Sequence, residues 1–242
     1  MPGRPRGPPL KLVERDCYLA RGLDACAQDG LATLGDLLLS SRTNVTALKD
    51  PQEIERMHFL DSLSLLDLPE FSAVSNIVDI GSGAGLPALV LALALPDARL
   101  VALESQQKKC MFIRRASQDL GLSNLSVECA RAEDYARRER RASFGLAVSR
   151  ALAPLAVVAE LSLPLLGLGG AMIAMKGSVS NQERTQGEKA LAILGAESID
   201  MVRLHPFPGA ENRWACVAVK RRETDCRFPR RPGMPGKRPL GA

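Results

Sequence analysis

The sequence predicts an α/β fold: a mostly parallel sheet with helices on both faces, an antiparallel last strand, and a helical extension at the amino terminus. Three observations carry this. From Ile77 onward, short apolar runs alternate with helix-period stretches, as parallel strands joined by crossover helices do. The apolar run Asn76-Ile77-Val78-Asp79-Ile80 leads straight into the glycine-rich turn Gly81-Ser82-Gly83-Ala84-Gly85-Leu86-Pro87 and then a helical run. Ahead of it, only helical periodicity is present.

Taken in order, Val13 to Leu39 forms two helical pieces with a break expected near Asp29-Gly30, and a further helix spans Ile54 to Leu66. Then follow strand 77–80, helix 88–95, strand 99–103, helix 107–120, strand 125–129, a loop through Arg131-Ala132-Glu133-Asp134-Tyr135, strand 144–148, helix 153–166 and strand 170–175. After Gln182 a helix continues to Leu194, and Glu197–Leu204 and Trp214–Lys220 are the last strands. The expected division is an amino-terminal helical extension over 1–72, the sheet domain over 73–220, and a basic disordered tail over 221–242.

Composition narrows the classes. At 242 residues, 46% hydrophobic and 24% charged, the chain fits one sizeable domain with an appended element. The most apolar run, Leu152 to Ile173, is broken by Pro154, Glu160, Pro164 and glycines, so a buried helix and strand fit it better than a membrane span. Met1 to Pro9 lacks the apolar core of a signal peptide. The six cysteines never form C-x-x-C; they read as reduced thiols of a cytoplasmic protein, with no metal site. The net charge of +5 is uneven: residues 220–242 hold eight basic and two acidic residues, leaving the rest at −1. Such a tail reads either as a solubility device or as a phosphate-seeking arm that strengthens RNA association.

The glycine turn carries the chemistry. Its spacing is G-x-G-x-G, with Leu86 where a dinucleotide fingerprint has its third glycine. Asp79 stands two residues before the first glycine; a carboxylate there repels a pyrophosphate and accepts an ammonium or sulfonium. This order resembles motif I of S-adenosylmethionine-dependent methyltransferases, with Asp79, Gly81 and Gly83 holding the cofactor. Glu104 ends the second strand roughly 20 residues on, where nucleotide-binding folds place a ribose-hydroxyl acceptor. The plainer readings are a loop-tethering Asp79 and a Glu104 that merely opens a polar loop.

Further segments sharpen the resemblance: Asn44-Val45-Thr46, His58-Phe59-Leu60-Asp61-Ser62-Leu63, Ser149-Arg150-Ala151 and Lys176-Gly177. With the turn, they resemble the ribosomal RNA small-subunit methyltransferase G family, also called glucose-inhibited division protein B, over about residues 30–220. The resemblance implies a Rossmann-like class I methyltransferase sheet and transfer of a methyl group from S-adenosylmethionine to N7 of one guanine in 16S ribosomal RNA. It implies cofactor contacts at Gly81, Leu86, Ala132, Glu133 and Arg150, the last open to the substrate.

Guanine N7 is a free lone pair, so its methylation needs alignment more than a general base, and no catalytic residue is assigned. Arg150 ends the fourth strand and suits a phosphate or guanine O6, or else pairs with a carboxylate such as Glu133. Lys176 and Arg213 suit the RNA; an ordinary exposed Lys and a structural Arg are the alternatives. His58 reads as a structural histidine linking the amino-terminal helices to the sheet. Competing classes are a methyltransferase for another RNA or a small molecule, a nicotinamide oxidoreductase, which would want Gly at 86 and no Asp79, and a non-catalytic RNA-binding relative.

Overall fold

The computed structural model describes residues 10–41, 43, 45–72, 74–137 and 140–242. Met1–Pro9 and Asn44, read above as lacking a leader and as part of a family segment, lie outside the described residues. The sheet contains β1 (Asn76–Ile80), β2 (Arg99–Glu104), β3 (Leu125–Cys129), β4 (Phe144–Arg150), β5 (Leu166–Lys176), β6 (Asp200–Arg203) and β7 (Trp214–Val219), in the order β3-β2-β1-β4-β5-β7-β6. The first five strands are mutually parallel, and β7 is antiparallel to both β5 and β6. The order reverses between β1 and β4, and their diverging carboxyl ends open the crevice in which such sheets bind ligands.

Alternation along β1 divides the core. Val78 and Ile80 join the cluster under α7 (Ala132–Arg137), α8 (Leu155–Ser162) and α9 (Asn181–Leu194), while Ile77 joins a separate one on the other face. On that other face lie α5 (Ala88–Ala94) and α6 (Gln107–Asp119), and the amino-terminal helices α1 (Arg15–Leu19) and α2 (Ala25–Ser40) pack onto them. Leu31 and Phe59 share one cluster with Leu89, Val90 and Ile113, so the extension has no core of its own. Buried Glu55 ties its start down by accepting from Val13 N, Glu14 N and Tyr18 Oη at 2.8–3.1 Å. Burial, with Glu55 beside it, drives the Tyr18 phenol strongly upward, so the hydroxyl stays a donor.

Several boundaries differ from expectation. The break between the first helices falls at Ala20–Asp24, where Asp24 caps α2 by accepting from Ala27 N at 2.8 Å. Gly30 lies inside α2 because a Cβ there would meet Leu93 Cδ2 at 2.5 Å; it permits close packing rather than a turn. The helix expected over 54–66 is a run of different turns: α3 (Pro51–Ile54), a π-helical stretch Glu55–Leu60, α4 (Asp61–Leu63) and a 3₁₀ turn Ser64–Asp67. Residues 132–137, read as loop, are helical, and β5 begins at Leu166 rather than 170.

The tail is the largest difference. Its lack of a run of apolar residues predicts disorder, yet 221–242 lies along α8 and α9 and includes α10 (Met234–Lys237). Phe228 is buried in the core, and Arg230 pairs with Glu160, which is itself fully buried, at 2.6 Å. Two anchors, one apolar and one ionic, replace the apolar periodicity that would have been legible. No helix among the described residues is long and apolar enough to cross a membrane.

Candidate functional site

The glycine turn sits at the carboxyl end of β1, inside the crevice. Gly81 N and Ser82 N donate to Leu103 O at 2.8 and 3.2 Å, which ties the turn to β2. Gly81 and Gly83 have φ of +70° and +59°, where side chains are strained; a Cβ at Gly81 would also meet Leu152 Cδ1 at 2.5 Å. Gly83 N donates to Glu104 Oε2 at 2.9 Å, and Glu104 Oε1 accepts from Gln106 N at 2.8 Å. Glu104 is thus held rigidly against the turn, and its two oxygens retain acceptor capacity beyond these bonds.

Asp79 is 1% exposed. Its Oδ2 accepts from Ala88 N at 3.2 Å, while Oδ1 is buried without a partner. Burial pushes its pKa up to about 7. An orphaned buried carboxylate oxygen is costly and fits a donor or cation arriving from the crevice. That fits the cationic end of S-adenosylmethionine, which Asp79 would hold while Glu104 takes the ribose hydroxyls. Leu86 buries its side chain in the core shared with the amino-terminal helices, and its N–H donates to Ser82 O at 3.0 Å; it shapes the turn from behind.

Ala132 and Glu133 open α7, one strand further along the same edge. Glu133 is 4% exposed; its Oε1 accepts from Gly233 N at 2.9 Å and lies 3.6 Å from Arg131 Nη2. Arg150 turns away from it. Arg150 Nη1 donates to Met57 O at 2.9 Å and lies 3.4 Å from Asp61 Oδ2, and Nη2 lies 3.3 Å from His58 Nδ1. Its carboxylate is therefore Asp61, not Glu133. Asp61 also faces Arg213 Nε at 3.1 Å, so one buried acid bridges two arginines from β4 and the lead-in to β7. Burial raises the Asp61 pKa against the opposing pull of both.

His58, placed by the π-helical stretch, is held between Thr46 Oγ1 at 2.7 Å and Arg150. Burial and the Arg150 charge bring its pKa down to about 4, so the ring is neutral at pH 7 and acts as a strut. Lys176 ends β5, but its Nζ donates to Ala153 O at 2.7 Å and Glu183 Oε1 at 2.8 Å. Met57, His58, Arg150, Lys176, Arg213 and Trp214 line a cleft of about 420 Å³ beside the crevice. Asp61 and the Gly233 contact were not identified as site features from sequence; the signal for Asp61 was its place three residues beyond His58, while nothing local marked Gly233.

A profile of the rRNA small subunit methyltransferase G family matches residues 36–207. The ribosomal RNA small subunit methyltransferase G of Rubrobacter xylanophilus is 42% identical over 203 residues, covering 82% of this chain and 78% of the relative. That of Moorella thermoacetica is 42% identical over 202 residues, covering 83% and 84%. Among solved structures, the apo form of the S-adenosylmethionine-dependent methyltransferase SibL superposes with a TM-score of 0.57 at 14% identity, over 86% of this chain and 74% of that one. A SAM-dependent methyltransferase from Aquifex aeolicus gives 0.51 at 14% identity, over 72% and 96%. At these identities the structural likeness establishes the Rossmann-like sheet and nothing finer.

Proposed function

We propose that this chain, which belongs to the rRNA small subunit methyltransferase G family, transfers a methyl group from S-adenosylmethionine to N7 of one guanine in 16S ribosomal RNA. The observation that carries the reading is the juxtaposition at the switch point of the sheet. An acceptor oxygen of Asp79 without a partner lies on one side of β4, and a cleft of about 420 Å³ around Arg150, roomy enough for a base, lies on the other. S-adenosylmethionine supplies, when bound, a methyl group on a sulfonium whose leaving group is a neutral thioether.

The chain's own residues then orient and exclude water. Asp79 would hold the cationic end, Glu104 the ribose, and Ala132 and Glu133 the adenine side. In the cleft, Met57 and Trp214 offer apolar walls, and Arg150 offers N–H donors suited to guanine O6. Because guanine N7 carries a free lone pair, these residues need only align the base with the methyl group that the cofactor would supply, and no proton has to be removed. No general base is required, and neutral His58, tied between Thr46 and Arg150, is spared that role. From such work on ribosomal RNA we infer a cytoplasmic location.

The test is to map N7-methylguanine in 16S ribosomal RNA from cells with and without this gene. One guanine is expected to lose its methyl group when the gene is removed and to regain it on restoration. An unchanged methylation map would overturn the proposal.

A further inference from the structure

Residues 221–242 are clamped to the body at several points. At their root, Lys220 is 1% exposed and its Nζ donates to Leu163 O and Leu166 O at 3.0 and 2.7 Å. Thr224 Oγ1 donates to Leu194 O at 2.7 Å. From the body, Arg141 reaches the carbonyls of Thr224, Asp225 and Phe228, and Arg137 donates twice to Pro229 O at 2.9 and 3.1 Å. Arg230 then meets Glu160 with three donors, its N and Nε at 2.8 Å and its Nη2 at 2.6 Å. The strap ends against α9, where a Cβ at Gly241 would meet Gln186 O at 2.7 Å.

Between these anchors lies the contact that matters. Gly233, at φ +80°, donates its N–H to Glu133 Oε1 at 2.9 Å. Glu133 is buried, and a buried carboxylate must be satisfied. Among the described residues, the other donor near Glu133 is Arg131, an exposed side chain 3.6 Å away. The conformation of the first turn of α7 is thereby coupled to a segment 100 residues on.

We propose that the carboxyl-terminal strap is part of the cofactor site: Gly233 fixes the Glu133 carboxylate, and through it the Ala132–Glu133 turn, in the position that receives the adenine side of S-adenosylmethionine. Gly233 is a positioning residue. The inference rests on the reading of Ala132–Glu133 as the adenine-side contact. It follows that the exposed basic residues of the strap are carried at a fixed place, and that cofactor affinity depends on residues far outside the glycine turn.

The experiment is calorimetric titration of S-adenosylmethionine and, separately, methylthioadenosine into four proteins: the full chain, a chain ending at Pro232, Glu133→Ala, and both changes together. Ending at Pro232 keeps Phe228 and the Arg230–Glu160 pair and removes the Gly233 N–H. Truncation is expected to weaken both ligands about tenfold, Glu133→Ala by a similar factor, and the combination by no more than either alone. Unchanged affinity after truncation, or losses that multiply, overturns the strap's role. Should the truncated chain fail to fold, Glu133→Gln in the full chain, which keeps the acceptor, is expected to retain affinity that Glu133→Ala loses; equal losses overturn the proposal. If the full chain binds neither ligand, the site reading itself fails, a result distinct from a strap without effect.

Discussion

The two sides of the β1–β4 crevice are built differently. On the β1–β2 side the polar groups are local and leave capacity for a ligand: Asp79, Gly81, Gly83 and Glu104 come from one β-turn-α-β unit, and Asp79 Oδ1 has no partner. On the β4–β7 side the charges come from distant segments and answer one another: Asp61 joins Arg150 and Arg213, and Lys176 joins Glu183. The cofactor side is a vacant acceptor set in a rigid turn, whereas the base side is a neutralised ion cluster beneath apolar walls. Cofactor binding and base positioning should therefore separate by mutation.

The largest expected effect is on stability. Asp61→Ala leaves two arginines facing each other without their acid and is expected to destabilise the fold by about 3 kcal/mol, measured by urea unfolding. Its cofactor affinity should stay within about threefold of the unaltered protein, since Asp61 lies outside the turn. A cofactor loss as large as the stability loss would erase the division between the two sides.

Gly83→Val comes next. Its left-handed φ strains any side chain, while the Cβ itself would meet Gly81 O at an ordinary 3.8 Å. Cofactor affinity should fall about a hundredfold with the circular dichroism spectrum unchanged, and normal binding would remove the turn from the site. Glu104→Ala is expected to cost about 2 kcal/mol in cofactor binding, the range for a lost charge-assisted hydrogen bond. An analogue lacking both the 2′ and 3′ hydroxyls should then bind the variant and the unaltered protein alike; if it still tells them apart, the ribose contact lies elsewhere.

The smallest effect is on pH dependence. Burial holds the Asp79 carboxyl near pKa 7 against an ordinary 3.8, so in the free protein it is protonated below about pH 7 and ionised above. A cation is held by the ionised form. Affinity for S-adenosylmethionine should therefore rise by up to about 25-fold from pH 5.5 to 7.5, with proton release on binding at the acidic end. Asp79→Asn should flatten the rise; a flat profile before substitution would show that Asp79 does not meet the cationic end.

The same division explains what the sequence made legible. Asp79, the glycines and Glu104 lie within one β-turn-α-β unit, so their spacing alone implied their convergence, and sheet strands and most helices followed from period-2 and period-3.6 patterns. The partner of Arg150 was not legible, because Asp61 lies 89 residues away at the start of α4, in a register set by the preceding π-helical stretch, whose wider turn has no sequence signature. The strap is not legible for a related reason: Phe228 in the core, Arg230 against α8 and Gly233 against α7 act singly, and no periodicity registers isolated anchors. Gly30 misled in the opposite sense, since a glycine that admits a neighbouring side chain looks the same in one dimension as one that ends a helix.

The most direct test combines both sides in one assay. Purified protein, Gly83→Val and Arg150→Ala are each given methyl-labelled S-adenosylmethionine and small-subunit ribosomal RNA, with cofactor binding and N7-methylguanine measured in parallel. The unaltered protein should label one guanine at N7. Gly83→Val should bind cofactor about a hundredfold more weakly and lose labelling with it, and Arg150→Ala should bind cofactor within about fivefold yet lose at least about a hundredfold in labelling rate. Label at an atom other than guanine N7, or an Arg150→Ala protein that loses the cofactor as fully as Gly83→Val, would contradict the separation of a vacant cofactor side from an ion-braced base side.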